Sequence, residues 1–82
     1  MKTELVQYTK VKVINCHELS LLRDIHAPDL DENNILKRFK AGDVILVDTS
    51  HVYWDSYDRC YYKCKDDYDF ETFVAAGGVR VV

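Results

Sequence analysis

Hydrophobic and polar residues alternate with a period of two over most of the chain, which is the pattern of half-buried β-strands. Lys10 to Val13 alternates without interruption, and Val44 to Val47 is apolar on both faces, as in a central strand. The other predicted strands are residues 18–23, 35–39, 52–54, 59–65, 70–75 and 79–82. A helix over residues 29–40 is the alternative for one segment, but Asn33 and Asn34 disfavour it.

Polar residues and glycines separate these segments at fairly regular intervals. The predicted connections are residues 24–34, 40–43, 55–58, 66–69 and 77–78. The first is a long loop that contains Pro28, and the second is a turn in which Gly42 supplies a permissive backbone. A single 3₁₀ turn near the C-terminus is compatible with this pattern. Five to seven short strands at such spacing predict a small all-β barrel or sandwich of mainly antiparallel strands.

Alternation along residues 59–65 divides the side chains of that strand between two faces. Cys60, Tyr62 and Cys64 share one face, and Tyr61 and Lys63 share the other. Since small thiols suit a tight core, Tyr61 is expected to face outward. The predicted core includes Val11, Val13, Leu46, Tyr62, Cys64 and Val74.

Composition describes one folded domain over residues 1–82. The 82 residues are 48% hydrophobic, which excludes a disordered chain, and so small a core disfavours a large catalytic pocket. The net charge is −3, and residues 42–82 carry four Lys or Arg against eight Asp or Glu. Nucleic-acid binding needs clustered cations, and no stretch is apolar enough to cross a bilayer, so neither partner is expected.

Two further features bear on location. The N-terminal residues lead into no apolar signal segment, so a cytoplasmic location is expected, or an extracellular one if a signal has been removed. Three cysteines are an odd number, which favours reduced thiols over a complete set of disulfides.

No candidate for catalysis or metal binding emerges from the polar residues. Cys60 and Cys64 lie roughly 13 Å apart if both are on one strand, too far for a shared zinc or a disulfide. The acidic turn at residues 66–69 lacks the spacing and the glycine of an EF-hand. The three histidines are isolated in sequence, and neither a nucleophile elbow nor a phosphate-binding glycine loop is present. We therefore expect no enzyme, no metal and no cofactor.

Several short motifs follow one another in a characteristic order. They are Leu21-Leu22-Arg23, Pro28, Ile35-Leu36, Phe39, Lys40-Ala41-Gly42-Asp43, Val44 to Val47, Tyr61-Tyr62-Lys63-Cys64 and Thr72-Phe73-Val74. Over about residues 10–82 this order resembles the bacterial SH3-like domain family. Tyr61 stands where the family usually has Trp, and residues 51–58 lengthen one hairpin. The resemblance implies a small SH3-like barrel.

Eight of the ten aromatic residues fall between Tyr53 and Phe73, more than a barrel of this size can bury. Tyr and Trp bring large contact area and little rotamer entropy to binding surfaces, and SH3-type folds grip extended peptides with such rings. The predicted binding patch consists of Tyr53, Trp54, Tyr57 and Tyr61, with Asp55 and Asp58 as an acidic rim.

These observations predict a small, non-enzymatic protein- or peptide-binding module. Small size, no signal and a free-standing domain suggest a phage or other mobile element as its source, with a host protein as the target. One alternative is a cell-wall peptide-binding domain separated from its signal or catalytic domain. Another is a structural protein that assembles with copies of itself, for which the edge strand Val79 to Val82 is available, although Arg80 discourages such pairing.

Overall fold

Seven β-strands and one 3₁₀ turn make up the secondary structure of the protein in a computed structural model, which describes residues 8–14, 18–27 and 32–82. The elements are β1 (Thr9–Val13), β2 (Leu19–Leu22), β3 (Ile35–Phe39), β4 (Val44–Trp54), β5 (Cys60–Cys64), β6 (Thr72–Ala75), the 3₁₀ turn η1 (Ala76–Gly78) and β7 (Val79–Val81). The predicted all-β class is confirmed. Strand β3 replaces the helical alternative over its five residues, and Pro28 lies outside the described residues.

All seven strands belong to one antiparallel sheet in the order β3-β2-β6-β5-β4-β1-β7. Sequential neighbours pair through hairpins at β2–β3, β4–β5 and β5–β6, while β1 pairs with both β4 and β7. The pairing leaves β3 and β7 as two edges that are not joined to each other. The predicted antiparallel arrangement is therefore confirmed, and closure into a barrel stays a prediction.

Strand β4 is one element of eleven residues where the sequence pattern predicts two short strands. Asp48 lies opposite Lys63 and Tyr53 lies opposite Tyr61. Between these pairs β4 has four residues, 49–52, where β5 has only Tyr62. The Asp48 carboxylate accepts hydrogen bonds from the Ser50 amide (2.9 Å) and hydroxyl (2.5 Å). The extra residues form a large bulge, and the Asp48 carboxylate provides an acceptor for a backbone amide within it. The strand can therefore continue through residues whose hydrophobic and polar side chains do not alternate.

The main core lies on one face of the sheet. Its buried members come from six of the seven strands: Val11, Val13, Leu19, Leu21, Phe39, Val47, Cys64 and Val74. A second cluster on the opposite side of β5 and β6 consists of Ile25, Tyr61 and Phe73. Strands β5 and β6 are therefore covered on both faces, which the sequence pattern does not predict.

Four of the six predicted core residues are buried, namely Val11, Val13, Cys64 and Val74. Tyr62 is partly buried against the main core. Leu46 is also only partly buried, because it pairs with Lys10 on the outer face of the sheet, while Ile45 and Val47 point toward the core.

The predicted outward orientation of Tyr61 is wrong, since its side chain is only 4% exposed. Alternation correctly places Tyr61 opposite Tyr62 and Cys64, but the loop after β2 covers that second face. Ile25 of this loop is buried against Tyr61 and Phe73.

Asn34 fixes the base of that loop. Its amide group accepts a hydrogen bond from the Asp24 amide (2.7 Å) and donates one to the Asp24 carbonyl (2.9 Å). The Asn34 carbonyl also accepts a bond from the Arg23 amide at 3.0 Å. Asn34, a residue type typical of turns, is thus buried, and its hydrogen bonds join the two ends of the loop that places Ile25 in the second cluster.

Candidate binding site on the β4–β5 hairpin

The candidate site is the tip of the hairpin between β4 and β5, residues 54–60, which we term the aromatic hairpin. Its central feature is the carboxylate of Asp55, which is only 6% exposed. One carboxylate oxygen accepts bonds from the Tyr57 amide (2.8 Å) and the Arg59 amide (3.0 Å). The other accepts bonds from Arg59 Nε (2.6 Å) and the Tyr61 hydroxyl (2.9 Å). All four donors converge on one residue, so the turn has little freedom to change shape.

The backbone of the aromatic hairpin reinforces this arrangement. The Asp55 amide donates to the Arg59 carbonyl at 3.1 Å, and the Asp58 amide donates to the Asp55 carbonyl at 3.2 Å. Asp58 has φ = 62°, in the left-handed region that Asp and Asn tolerate better than most residues. Aspartates at these two positions thus favour this turn locally, before any tertiary contact is made.

Electrostatics at Asp55 favour the ionised carboxylate. Burial raises the pKa of Asp55, but the hydrogen bonds from the Arg59 and Tyr57 amides, the Arg59 side chain and the Tyr61 hydroxyl outweigh it. Together they lower the pKa from 3.8 to about 2. The carboxylate is therefore charged at neutral pH and fully engaged inside the turn, where it is unavailable to a partner.

Two large rings project from this turn into solvent. Tyr57 is 78% exposed and Trp54 is 56% exposed, and Tyr57 is the most exposed large hydrophobic residue in the described part of the chain. The Arg59 guanidinium lies 5.3 Å from the centre of the Tyr57 ring, within cation–π range. Asp58 is exposed beside them. Aromatic side chains on a turn held by several hydrogen bonds suit recognition, because the backbone loses little entropy when a partner covers them.

The four predicted patch aromatics divide into two pairs with different surroundings. Trp54 and Tyr57 are exposed, whereas Tyr61 is buried and Tyr53 is partly buried. Tyr53 lies edge-on to Phe73, with ring centres 5.2 Å apart, and on the opposite face of β4 from Trp54. The structure does not bring the four rings into one exposed patch. Tyr53 and Tyr61 instead pack with Phe73 in the second cluster, on which the hairpin rests.

The predicted acidic rim also divides. Asp58 is exposed, as a rim residue must be, while Asp55 is the buried anchor of the turn. Arg59 was not among the predicted site residues, although it both binds Asp55 and stacks on Tyr57. Its position four residues after Asp55 is a signal that sequence reasoning could have used, since residues that flank a tight turn lie close together.

A groove of about 720 Å³ lies elsewhere, between β3, the first residues of β4 and the acidic turn after β5. Its lining combines apolar side chains with three cations and three aspartates: Lys37, Arg38, Lys65, Asp43, Asp66 and Asp67. This mixture of charges favours no particular ligand, and the groove contains none of the predicted site residues.

Cysteine thiols also lie among the described residues, away from the exposed rings of the aromatic hairpin in the case of Cys64. Burial and the neighbouring Asp66 raise the pKa of Cys64 to about 11, so its thiol is protonated at neutral pH and is a weak nucleophile. Cys60 is also a free thiol, and Cys16 lies outside the described residues. Within residues 8–14, 18–27 and 32–82, no three His, Cys, Asp or Glu side chains are grouped so as to hold a metal ion.

The described residues include no helix that is long and apolar enough to cross a membrane. Comparison of the chain with known protein families, curated proteins and solved structures finds no match. A functional assignment therefore depends on the physical chemistry of the aromatic hairpin.

Proposed function

We propose that this protein is a small, non-enzymatic protein- or peptide-binding module that holds its partner through the tip of the aromatic hairpin. The observation that carries the proposal is the combination of Trp54 and Tyr57, both exposed, with a turn that Asp55 holds through four hydrogen bonds. Isolated exposed rings are ordinary on protein surfaces. Two on one turn, whose shape depends on a buried carboxylate, form a preorganised binding element.

The chemistry of the tip suggests the class of partner. Trp54 and Tyr57 offer apolar contact area, and Asp58 supplies a free carboxylate beside them. The charge of Arg59 is largely compensated by Asp55, with 2.6 Å between the paired atoms. The partner is thus an extended segment that combines apolar residues with a basic one, the combination that aromatic-lined peptide sites accept.

We further propose that the fold is an SH3-like barrel. The support is that several motifs behind the resemblance lie on strands or on the connection between two strands. Residues 40–43 connect β3 to β4, residues 61–64 belong to β5, and residues 72–74 belong to β6.

A selection from a displayed random peptide library, followed by affinity measurement, tests the function. We expect selected peptides to be enriched in apolar and basic residues. They should lose at least about tenfold in affinity for the Trp54→Ala and Tyr57→Ala variants. The matched control is Tyr68→Ala, which removes a ring that is 41% exposed on the acidic turn after β5. Full affinity for both hairpin variants, or an equal loss with Tyr68→Ala, would refute the proposal.

A further inference from the structure

The outer face of β1 and β7 carries a group of cations on a chain whose net charge is −3. Directly paired residues share a face, and Lys12 lies opposite Val44 on one side and Arg80 on the other. Lys10 lies on the same face, about 7 Å along β1 from Lys12, and is paired with Leu46. Lys10, Lys12 and Arg80 are all exposed, so the face away from the main core is cationic.

The described part of the chain does not neutralise these three cations. None of them forms an ion pair with a described carboxylate, whereas Lys63 of β5 pairs with Glu71 at 3.1 Å. Like charges placed directly opposite one another destabilise a sheet, so the Lys12–Arg80 pair is unfavourable in the isolated protein. A carboxylate between or beside these side chains would offset that repulsion.

Strand β7 next to these cations is an edge of the sheet, and no other strand of the described residues pairs with its outer side. The Gly78 carbonyl accepts a bond from the amide of Ile14, the residue after β1 (2.9 Å), and the Val82 amide donates to the Lys10 carbonyl of β1 (3.2 Å). Alternate residues of a strand bond to opposite neighbours, so the amide and carbonyl groups of Val79 and Val81 point away from β1. The Val81 side chain is also 62% exposed. This edge thus offers both backbone hydrogen-bonding groups and uncovered apolar surface.

We propose that β7 binds an extended acidic segment of a partner protein, which adds to the sheet as an eighth strand. The backbone of the partner strand would form hydrogen bonds with Val79 and Val81. Its apolar side chains would lie beside these two valines, on the face of the sheet that carries the main core. An acidic residue between them would lie opposite Arg80 and close to Lys12. The predicted ligand is therefore a strand that alternates apolar and acidic residues, a site separate from the aromatic hairpin.

Charge and backbone geometry favour this occupant over two others. A second copy that paired its β7 antiparallel about Arg80 would place two guanidinium groups opposite each other, which is unfavourable. A nucleic acid would match the cations but lacks alternating amide and carbonyl groups for the edge. The net charge of −3 also opposes a long polyanion.

The test uses a fluorescent, end-capped peptide of alternating valine and glutamate with the full 82-residue chain. Two control peptides replace the glutamates with lysine or place proline at the centre. We expect affinity to fall at least about tenfold for both controls, since the first reverses the charge and the second removes a backbone donor. In the complex, hydrogen exchange at the Val79 and Val81 amides should slow at least about fivefold.

Variants of the protein complete the test. Arg80→Glu should weaken binding of the glutamate peptide at least about tenfold, and Arg80→Gln should weaken it by a smaller factor. Lys37→Glu makes the same charge change at the opposite edge of the sheet and should leave affinity within about twofold. Equal binding of the lysine peptide, unprotected Val79 and Val81 amides, or tighter binding of a single-stranded oligonucleotide than of the glutamate peptide would overturn the proposal.

Discussion

Two buried aspartates of β4 and the turn that follows it make the same local contact but have different roles. Asp48 and Asp55 each accept a hydrogen bond from the amide two residues later, at 2.9 and 2.8 Å. The Asp48 carboxylate accepts both the amide and the hydroxyl bond of Ser50, so Asp48 stabilises a bulge within one strand. Asp55 also binds Arg59 and Tyr61, so it joins the turn to the second hydrophobic cluster. One local motif therefore serves either a strand irregularity or a presented turn, depending on its distant partners.

The largest effect expected in this comparison is that of Tyr61→Ala. The variant removes a buried ring from the second cluster and a donor to Asp55, so we expect a loss of about 3–5 kcal/mol in the free energy of unfolding. Urea unfolding followed by tryptophan fluorescence measures it. Tyr62→Ala on the opposite face is the control and should cost less, because Tyr62 is only partly buried. Equal losses of unfolding free energy in the two variants would mean that burial of Tyr61 in the second cluster does not stabilise the protein more than the partly buried Tyr62 does.

Next in size is the difference between Asp55→Ala and Asp48→Ala. Asp55→Ala removes the acceptor of four hydrogen bonds, whereas Asp48→Ala removes the acceptor of two bonds from Ser50. We expect the Tyr57 and Arg59 amides to exchange at least about tenfold faster in Asp55→Ala. In Asp48→Ala the same amides should keep their wild-type rates. Faster exchange of these amides in both variants would show that the two sites are not independent.

The dependence of stability on pH sharpens the same comparison. The folded-state pKa of Asp55 is about 2, below the ordinary 3.8. The ionised carboxylate therefore adds to the free energy of unfolding above pH 3.8, and this addition is lost as the pH falls toward 2. The pKa of Asp48 is also lowered, by hydrogen bonds from Ser50, so its contribution to stability is likewise lost at acid pH. We expect Asp55→Asn to flatten the acid limb of the stability curve. Urea midpoints from about pH 6 to about pH 2 measure this, and an unchanged acid limb would contradict it.

The smallest effect on stability is expected at the exposed rings. Trp54→Ala and Tyr57→Ala should change the free energy of unfolding by less than about 0.5 kcal/mol each, because both side chains are largely in solvent. Thermal unfolding followed by circular dichroism checks this expectation. A loss close to that of Tyr61→Ala would show that these rings are part of the core and are not available to a partner.

The candidate site was only partly predictable from the sequence. Aromatic enrichment indicates the β4–β5 hairpin as the site, which stays a prediction, and Trp54 and Tyr57 are exposed there. The expected exposure of Tyr61 is wrong, because alternation shows that two residues lie on opposite faces but not which faces are covered. Asp55 was predicted as a rim residue for a similar reason. Its burial depends on Arg59 and Tyr61, whose approach is decided only when the strands pair.

The fold shows the same division. The sequence by itself determined where most strands lie and that β1 turns Val11 and Val13 toward a core, because the period of two follows from local backbone geometry. Only the tertiary structure decided that β4 continues through a bulge, that Ile25 covers a second cluster, and that Lys12 faces Arg80. These features depend on contacts between residues far apart in the chain, and such contacts leave no periodic signal along it.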